Sequence, residues 1–183
     1  MLKDFNLLVS TFRKRENDCI SELWYFLKEM GDESVEVSKV GLPGLIVAKT
    51  SLNPFNVARR IREVAIERPW DFRYILKVVP IERVVPTSLD EIKEVALELS
   101  KRIMPSETYK VEVNIRLSDL SRREVIEAIA PYVDRRVNLS SPDKIIRVEI
   151  IGAVTGISLL SPEDEVSIAK IKSQARRQRG QQF

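Results

Sequence analysis

Residues 137–151 read Val137-Asn138-Leu139-Ser140-Ser141-Pro142-Asp143-Lys144-Ile145-Ile146-Arg147-Val148-Glu149-Ile150-Ile151. An apolar strand end gives way to a polar turn holding Pro142, and the turn gives way to a mostly apolar strand. Two strands close the body here, near Lys144–Ile151 and Val154–Leu160. Beyond them, Ser161-Pro162-Glu163-Asp164 has the marks of a helix start: a serine N-cap, a proline in the first turn and acids that complement the helix dipole. The predicted last helix carries five cations (Lys170, Lys172, Arg176, Arg177, Arg179), no acid after Glu165 and all four glutamines of the chain. The net charge is +3, and removing those five cations leaves −2 on residues 1–169. A basic tail on a nearly neutral body suits nucleic acid or another polyanion, although a solvated, frayed end has the same composition.

Upstream of the quoted stretch, Tyr109 to Arg116 alternates. Tyr109, Val111, Val113 and Ile115 share one face, and Lys110, Glu112, Asn114 and Arg116 share the other, which predicts an antiparallel-type strand with one wet face. Ser121 with Glu124, and Ser88 with Glu91, are spaced as capping boxes ahead of apolar helical stripes. The segment from Phe72 to Val79 reads as another strand, and across 72–83 period-two spacing puts Arg73, Lys77 and Arg83 on one face with Ile75 and Val79. In the first part of the chain, Phe5 to Thr11 is a strand. Ile20, Leu23, Trp24, Leu27 and Met30 then recur at helical spacing, with Gly31 as the stop. Val35–Val37 and Leu45–Val47 are two strands joined through Gly41-Leu42-Pro43-Gly44. Asn53-Pro54 opens a second helix with Val57, Ile61 and Val64 on its buried stripe, and Pro69 ends it. Strand, helix, strand, strand, helix and one further strand make the split βαβ pattern of a ferredoxin-like unit.

The chain of 183 residues fits one large or two small domains, and 44% hydrophobic with 31% charged residues is ordinary for a soluble protein. No apolar run approaches the ~20 residues a membrane helix needs. The first residues lack a secretory pattern, and the single cysteine, Cys19, excludes an internal disulfide, so a reducing, cytoplasmic location is expected. There is no histidine, the commonest general base and metal ligand. One cysteine makes no zinc site, and neither a phosphate loop nor a dinucleotide fingerprint occurs. The acid pairs Asp90-Glu91 and Glu163-Asp164 fall in predicted first turns, where they complement helix dipoles. Cys19 and Trp24 are expected in the core, and Trp70 as a wedge at a domain junction, with base stacking the lesser reading. A lysine- or aspartate-based enzyme stays open, but nothing in the sequence asks for one, so the expectation is a protein that is not an enzyme and uses no cofactor and no metal.

Residues 137–151 resemble the closing region of THUMP domains: Val-Asp-Leu, a short polar turn with proline, then an apolar strand containing Val-Glu. This chain departs from that pattern at Asn138, where the family usually has aspartate. Phe72-Arg73-Tyr74 through Val79-Pro80-Ile81 resembles the family's first strand, and Arg83-Val84-Val85-Pro86-Thr87 is similar to its adaptor branch. The resemblance covers roughly residues 50–165. It implies an α+β chain with a ferredoxin-like N-terminal domain at 1–68, a THUMP domain at 69–162 and a basic C-terminal helical tail at 163–183. THUMP modules bind tRNA and occur fused to thiouridine synthetases, RNA methyltransferases, pseudouridine synthases and deaminases. Here the sequence stops about twenty residues after the last strand, an arrangement similar to the stand-alone adaptors that assist a tRNA cytidine acetyltransferase in making 4-acetylcytidine. The resemblance therefore implies a tRNA-binding adaptor, with tRNA and an RNA cytidine acetyltransferase as partners and no membrane. Alternatives are a subunit of another split tRNA-modifying enzyme, for thiolation or methylation, or a scaffold whose basic tail meets an acidic protein. The expected RNA-binding residues are Arg73, Lys77, Arg83, Arg116, Arg135, Arg136, Lys144, Arg176, Arg177 and Arg179, because guanidinium and ammonium groups meet phosphate and a folded tRNA presents mainly phosphates and shape.

Overall fold

A computed structural model describes residues 2–182. The apolar run near the N-terminus is strand β1 (Leu7–Ser10), and Leu7, Leu8 and Val9 are all buried because β1 lies inside a sheet. Helix α1 (Glu16–Glu29) buries Cys19, Leu23 and Leu27, and Gly31, at φ +95°, follows its C-terminal end. Strands β2 (Glu36–Lys39) and β3 (Leu45–Lys49) form the expected hairpin. Helix α2 (Pro54–Glu67) starts where the N-cap signal placed it: the Asn53 side chain accepts from the Phe55 and Asn56 N–H groups, and Pro54 takes the first turn. Its stripe of Val57, Ile61 and Val64 is buried, and each such side chain stabilises the fold by about 1.5–3 kcal/mol. Strand β4 (Lys77–Pro80) then pairs antiparallel with β1, completing the antiparallel order β4-β1-β3-β2.

Asp32 fastens the end of α1 to the strand β3 exit. It is fully buried and accepts from the Ser34 N–H (3.1 Å), the Ser51 N–H (3.1 Å), the Ser51 hydroxyl (2.7 Å) and the Thr50 hydroxyl. Burial alone would raise its pKa. The hydroxyl and N–H donors outweigh burial and hold the carboxyl below its ordinary value.

Strand β5 (Arg83–Pro86) begins a second sheet. Helix α3 (Leu89–Ser100) is capped by Ser88, whose hydroxyl accepts from the Glu91 N–H, and strand β6 (Thr108–Arg116) follows. Helix α4 (Arg122–Ile129) has the full reciprocal capping box of Ser121 and Glu124. The short β7 (Arg136–Val137), β8 (Lys144–Ile151) and β9 (Val154–Leu160) complete the order β5-β9-β8-β6-β7. Ile92, Val95 and Leu99 of α3 and Val125 and Ile129 of α4 cluster with Tyr109, Val113, Ile146, Val148 and Ile157 of the sheet.

Strand β6 differs from the expected antiparallel strand with one wet face. It runs parallel to both β7 and β8. Its polar row is half-buried, because the register sets Glu112 beside Arg147 and Asn114 beside Glu149. Arg147 and Glu149 are 2% and 1% exposed. The Glu149 carboxylate accepts from Asn114 Nδ2 (2.9 Å), Arg147 Nη1 (3.0 Å) and Arg116 Nη1 (2.7 Å), so charges on neighbouring strands satisfy one another where water was expected.

Two further expectations change. Residues 72–83 are not one strand: the chain passes from a 3₁₀ turn at Pro69–Asp71 into β4, and β5 belongs to the other sheet. Arg73, Lys77 and Arg83 therefore share no strand face. The Ser161–Asp164 segment makes only a 3₁₀ turn at Pro162–Asp164. The chain then adds β10 (Val166–Ser167) to the free edge of β4, and α5 (Ile168–Gly180) begins after Ser167, whose hydroxyl accepts from the Lys170 N–H. Burial of Val166 in the first core explains the delay, since a helix begun at Pro162 would forgo that strand. The residues up to Pro80 and those from Asp164 onward form one compact unit, and Ile81–Glu163 form another. No helix among the described residues is long and apolar enough to cross a membrane.

Candidate nucleic-acid interface

The basic C-terminal segment is anchored rather than loose. Ile168 and Ile171 are buried in the first unit's core, and the Ile168 N–H donates to the Leu76 carbonyl at 2.8 Å. One face of α5 then presents Lys172, Arg176 and Arg179, spaced by four and three residues, to the indole of Trp70. Their charged groups lie 5.5, 5.1 and 5.9 Å from its ring centre. Lys172 Nζ also donates to the Phe72 carbonyl. Trp70 is 39% exposed, so the ring is a surface platform in the first unit. Such cation–π contacts orient the cations without neutralising them. Among the described residues, Arg176, Arg177 and Arg179 have no acidic partner, and Arg73 is exposed with only its backbone N–H bound, to Glu22. Lys77 is paired with Glu165 at 3.3 Å.

In the second unit most expected cations are occupied. Arg83 Nη1 donates to both oxygens of Glu98 at 3.2 Å, and Arg116 is held by Glu149. Lys144 Nζ bonds Glu107 at 2.7 Å, which holds the Glu107 carboxyl below its ordinary pKa. Arg135 is half-buried and donates to two carbonyls, Ile103 O (3.0 Å) and Asp134 O, so its charge meets no carboxylate there. Arg136 is exposed and unpaired among the described residues. Near them, Lys93 Nζ sits 3.7 Å from the centre of the Tyr132 ring, which is 61% exposed. A groove of about 360 Å³ runs between α3 and the segment before β7, lined by Leu97, Ser100, Lys101, Tyr132, Asp134 and Arg135. Nothing in the sequence marks Lys101 and Tyr132 as neighbours of Arg135, or Lys93 as a neighbour of Tyr132.

The polar turn of the stretch 137–151 is tied to β6 at both of its ends. The Asn138 N–H donates to the Tyr109 carbonyl, and the Asn138 side chain accepts from the Ser140 and Ser141 N–H groups, closing the polar turn. At the far end Asp143 accepts from the Thr108 N–H at 2.8 Å and from its hydroxyl at 3.1 Å, which keeps the carboxyl below its ordinary pKa. Asn138 makes this turn with its side-chain carbonyl oxygen as acceptor.

The THUMP domain family matches residues 86–160, a span that runs from the end of β5 to the end of β9. Residues 86–160 are a THUMP domain. Solved structures show the same fold over more of the chain. PH1313 from Pyrococcus horikoshii Ot3 superposes with a TM-score of 0.65 at 16% identity, over 88% of this chain and 55% of its own. A 4-thiouridine synthetase, in a complex with RNA and bound ATP, gives 0.58 at 12% identity over 90% of this chain and 42% of its own. TrmN from Thermus thermophilus gives 0.55 at 17% identity over 84% and 44%. The chain thus spans about half the length of the structures it matches. No curated protein matches the sequence.

The remaining chemistry-bearing groups are committed to the fold. Cys19 is buried, and burial pushes its thiol up to about 12, far from a nucleophile's range. Trp24, expected in the core, is partly exposed instead, edge-on to Tyr25 and beneath Lys28, because the buried stripe of α1 runs through Cys19, Leu23 and Leu27.

Proposed function

We propose that this chain is a cytoplasmic, non-catalytic tRNA-binding adaptor that presents tRNA to a separate modifying enzyme, an RNA cytidine acetyltransferase making 4-acetylcytidine. The observation that carries the reading is a THUMP domain in a chain whose cations divide into two sets. One set is spent on carboxylates of the fold; the other, Arg73, Arg136, Arg176, Arg177 and Arg179, is not. Unpaired arginines on ordered elements suit phosphate, since the fork is already oriented and its charge is not cancelled. The first unit, read as ferredoxin-like from its element order, carries the α5 cluster, and the THUMP domain carries the Arg135–Arg136 surface. RNA in the complex of the structurally similar 4-thiouridine synthetase agrees with this reading. A buried thiol, the lack of histidine and carboxylates engaged by backbone and hydroxyl donors favour binding over catalysis.

The test is reconstitution. Acetylation of tRNA is expected to be slow with the acetyltransferase alone, fast with both proteins and absent with this chain alone. Modification of tRNA by this chain and a cofactor alone would instead make it the catalytic subunit of a split enzyme.

A further inference from the structure

The turn between β1 and α1 reads Phe12-Arg13-Lys14-Arg15, an aromatic followed by three cations. Phe12 is 50% exposed, and Arg13 and Lys14 are exposed with no acidic partner among the described residues. Arg15 is matched by Asp18 at 3.3 Å. The turn is held firmly. The Arg15 N–H donates to the Phe12 carbonyl at 3.1 Å, and the Thr11 N–H to the Gly44 carbonyl at 2.9 Å. In return the Gly44 N–H donates to the Glu16 carboxylate at 2.8 Å. A Cβ at Gly44 would come within 2.8 Å of the Thr11 carbonyl oxygen, so the β2–β3 hairpin presses directly on this turn. Lys14 has φ +67°, a conformation that favours glycine, yet a long cationic side chain stands there. Lys39 is also exposed, and the nearby acid, Glu16, is already engaged by Gly44.

An exposed ring between a rigid hairpin and two unpaired cations has no use in the core. A flat ring stacks on any base whose face is free, and a flanking guanidinium and ammonium meet the phosphates on either side of that base. We propose that Phe12, Arg13 and Lys14 form a further RNA-contacting site on the first unit, with Phe12 stacking an unpaired nucleotide of the bound tRNA and the two cations holding its phosphates. This inference rests on the RNA-binding reading and adds to it a site outside the THUMP domain and outside α5.

The test is fluorescence anisotropy of labelled tRNA with the full chain, in wild type, Phe12→Ala, the double variant Arg13→Ala/Lys14→Ala, and Lys14→Gly. The double variant is expected to lose about tenfold in affinity and to flatten the salt dependence by up to about two phosphates. Phe12→Ala should lose about tenfold with the salt slope unchanged, since stacking is not a counterion effect. Lys14→Gly keeps the turn and relieves the backbone, so it should bind more weakly while melting no lower than wild type. Wild-type affinity in the double variant and Phe12→Ala, with tRNA binding by the wild type intact, overturns this site alone. Failure of the wild type itself to bind tRNA removes the premise as well.

Discussion

The guanidinium of Arg176 rests 5.1 Å from the centre of the Trp70 ring, and no acid pairs with it among the described residues. Lys172 and Arg179 approach the same ring. Three like charges converge on one half-exposed indole, an arrangement that repels itself in isolation and gains from a polyanion. Replacing Arg176, Arg177 and Arg179 with alanine should weaken tRNA binding by at least about tenfold and flatten the salt slope by about two. The melting temperature should fall by only a few degrees, because each exposed cation–π contact contributes about 0.5–1 kcal/mol. Substitution is a cleaner probe than truncation after Glu165, which would strip Val166, Ile168 and Ile171 from the core. Unchanged affinity in the triple variant would remove α5 from the interface.

Arg135 and Arg136 are adjacent but should separate cleanly. Arg135 donates to Ile103 and Asp134 carbonyls, so Arg135→Ala should cost about 1–2 kcal/mol of stability by urea denaturation. Arg136→Ala should leave stability within about 0.5 kcal/mol and weaken tRNA binding. Equal melting of the two variants, or full affinity in Arg136→Ala, would contradict these roles.

Asp32 sets a pH dependence. Its folded pKa is depressed below the unfolded value of about 3.9, so its contribution is fully present above that pH and is lost as pH falls through the folded pKa. Asp32→Asn should therefore be less stable than wild type at neutral pH, and the gap should narrow in acid. Thermal melts of both proteins from pH 7 down to pH 3 check it, and a gap that widens in acid would reverse the sign.

Glu149 is the hub of the buried charge network on β6 and β8. Glu149→Ala takes an acceptor from Arg116, Arg147 and Asn114 at once and should cost about 3–5 kcal/mol. A loss below about 1 kcal/mol in chemical denaturation would mean the network contributes little.

Local signals in the sequence were reliable where the physics is local. The Asn53-Pro54 cap, the Ser121–Glu124 box and the stripes of α2 and α3 need only neighbours three or four residues away. The pattern at 137–151 located the THUMP domain, and its turn closes on Asn138. The parallel pairing of β6 was not legible, because a strand's partner direction is set by the chain's route through α4 and β7 rather than by its own alternation. Strand β10 leaves no signal in the sequence for a related reason, since its two residues gain their place only from the free edge of β4. At the candidate interface, the positions of cations were visible but their partners were not. Lys144 and Glu107 are 37 residues apart, Arg116 and Glu149 are 33 apart, and Trp70 meets α5 from a hundred residues upstream. Distance in the chain hides which charges are already spent.

The most direct test of the account is tRNA binding by the full chain, followed by anisotropy at about 50 and 200 mM salt. Tight binding at low salt that weakens steeply at the higher concentration is expected, because several unpaired arginines displace counterions. No binding at low salt, or an affinity indifferent to salt, would contradict it.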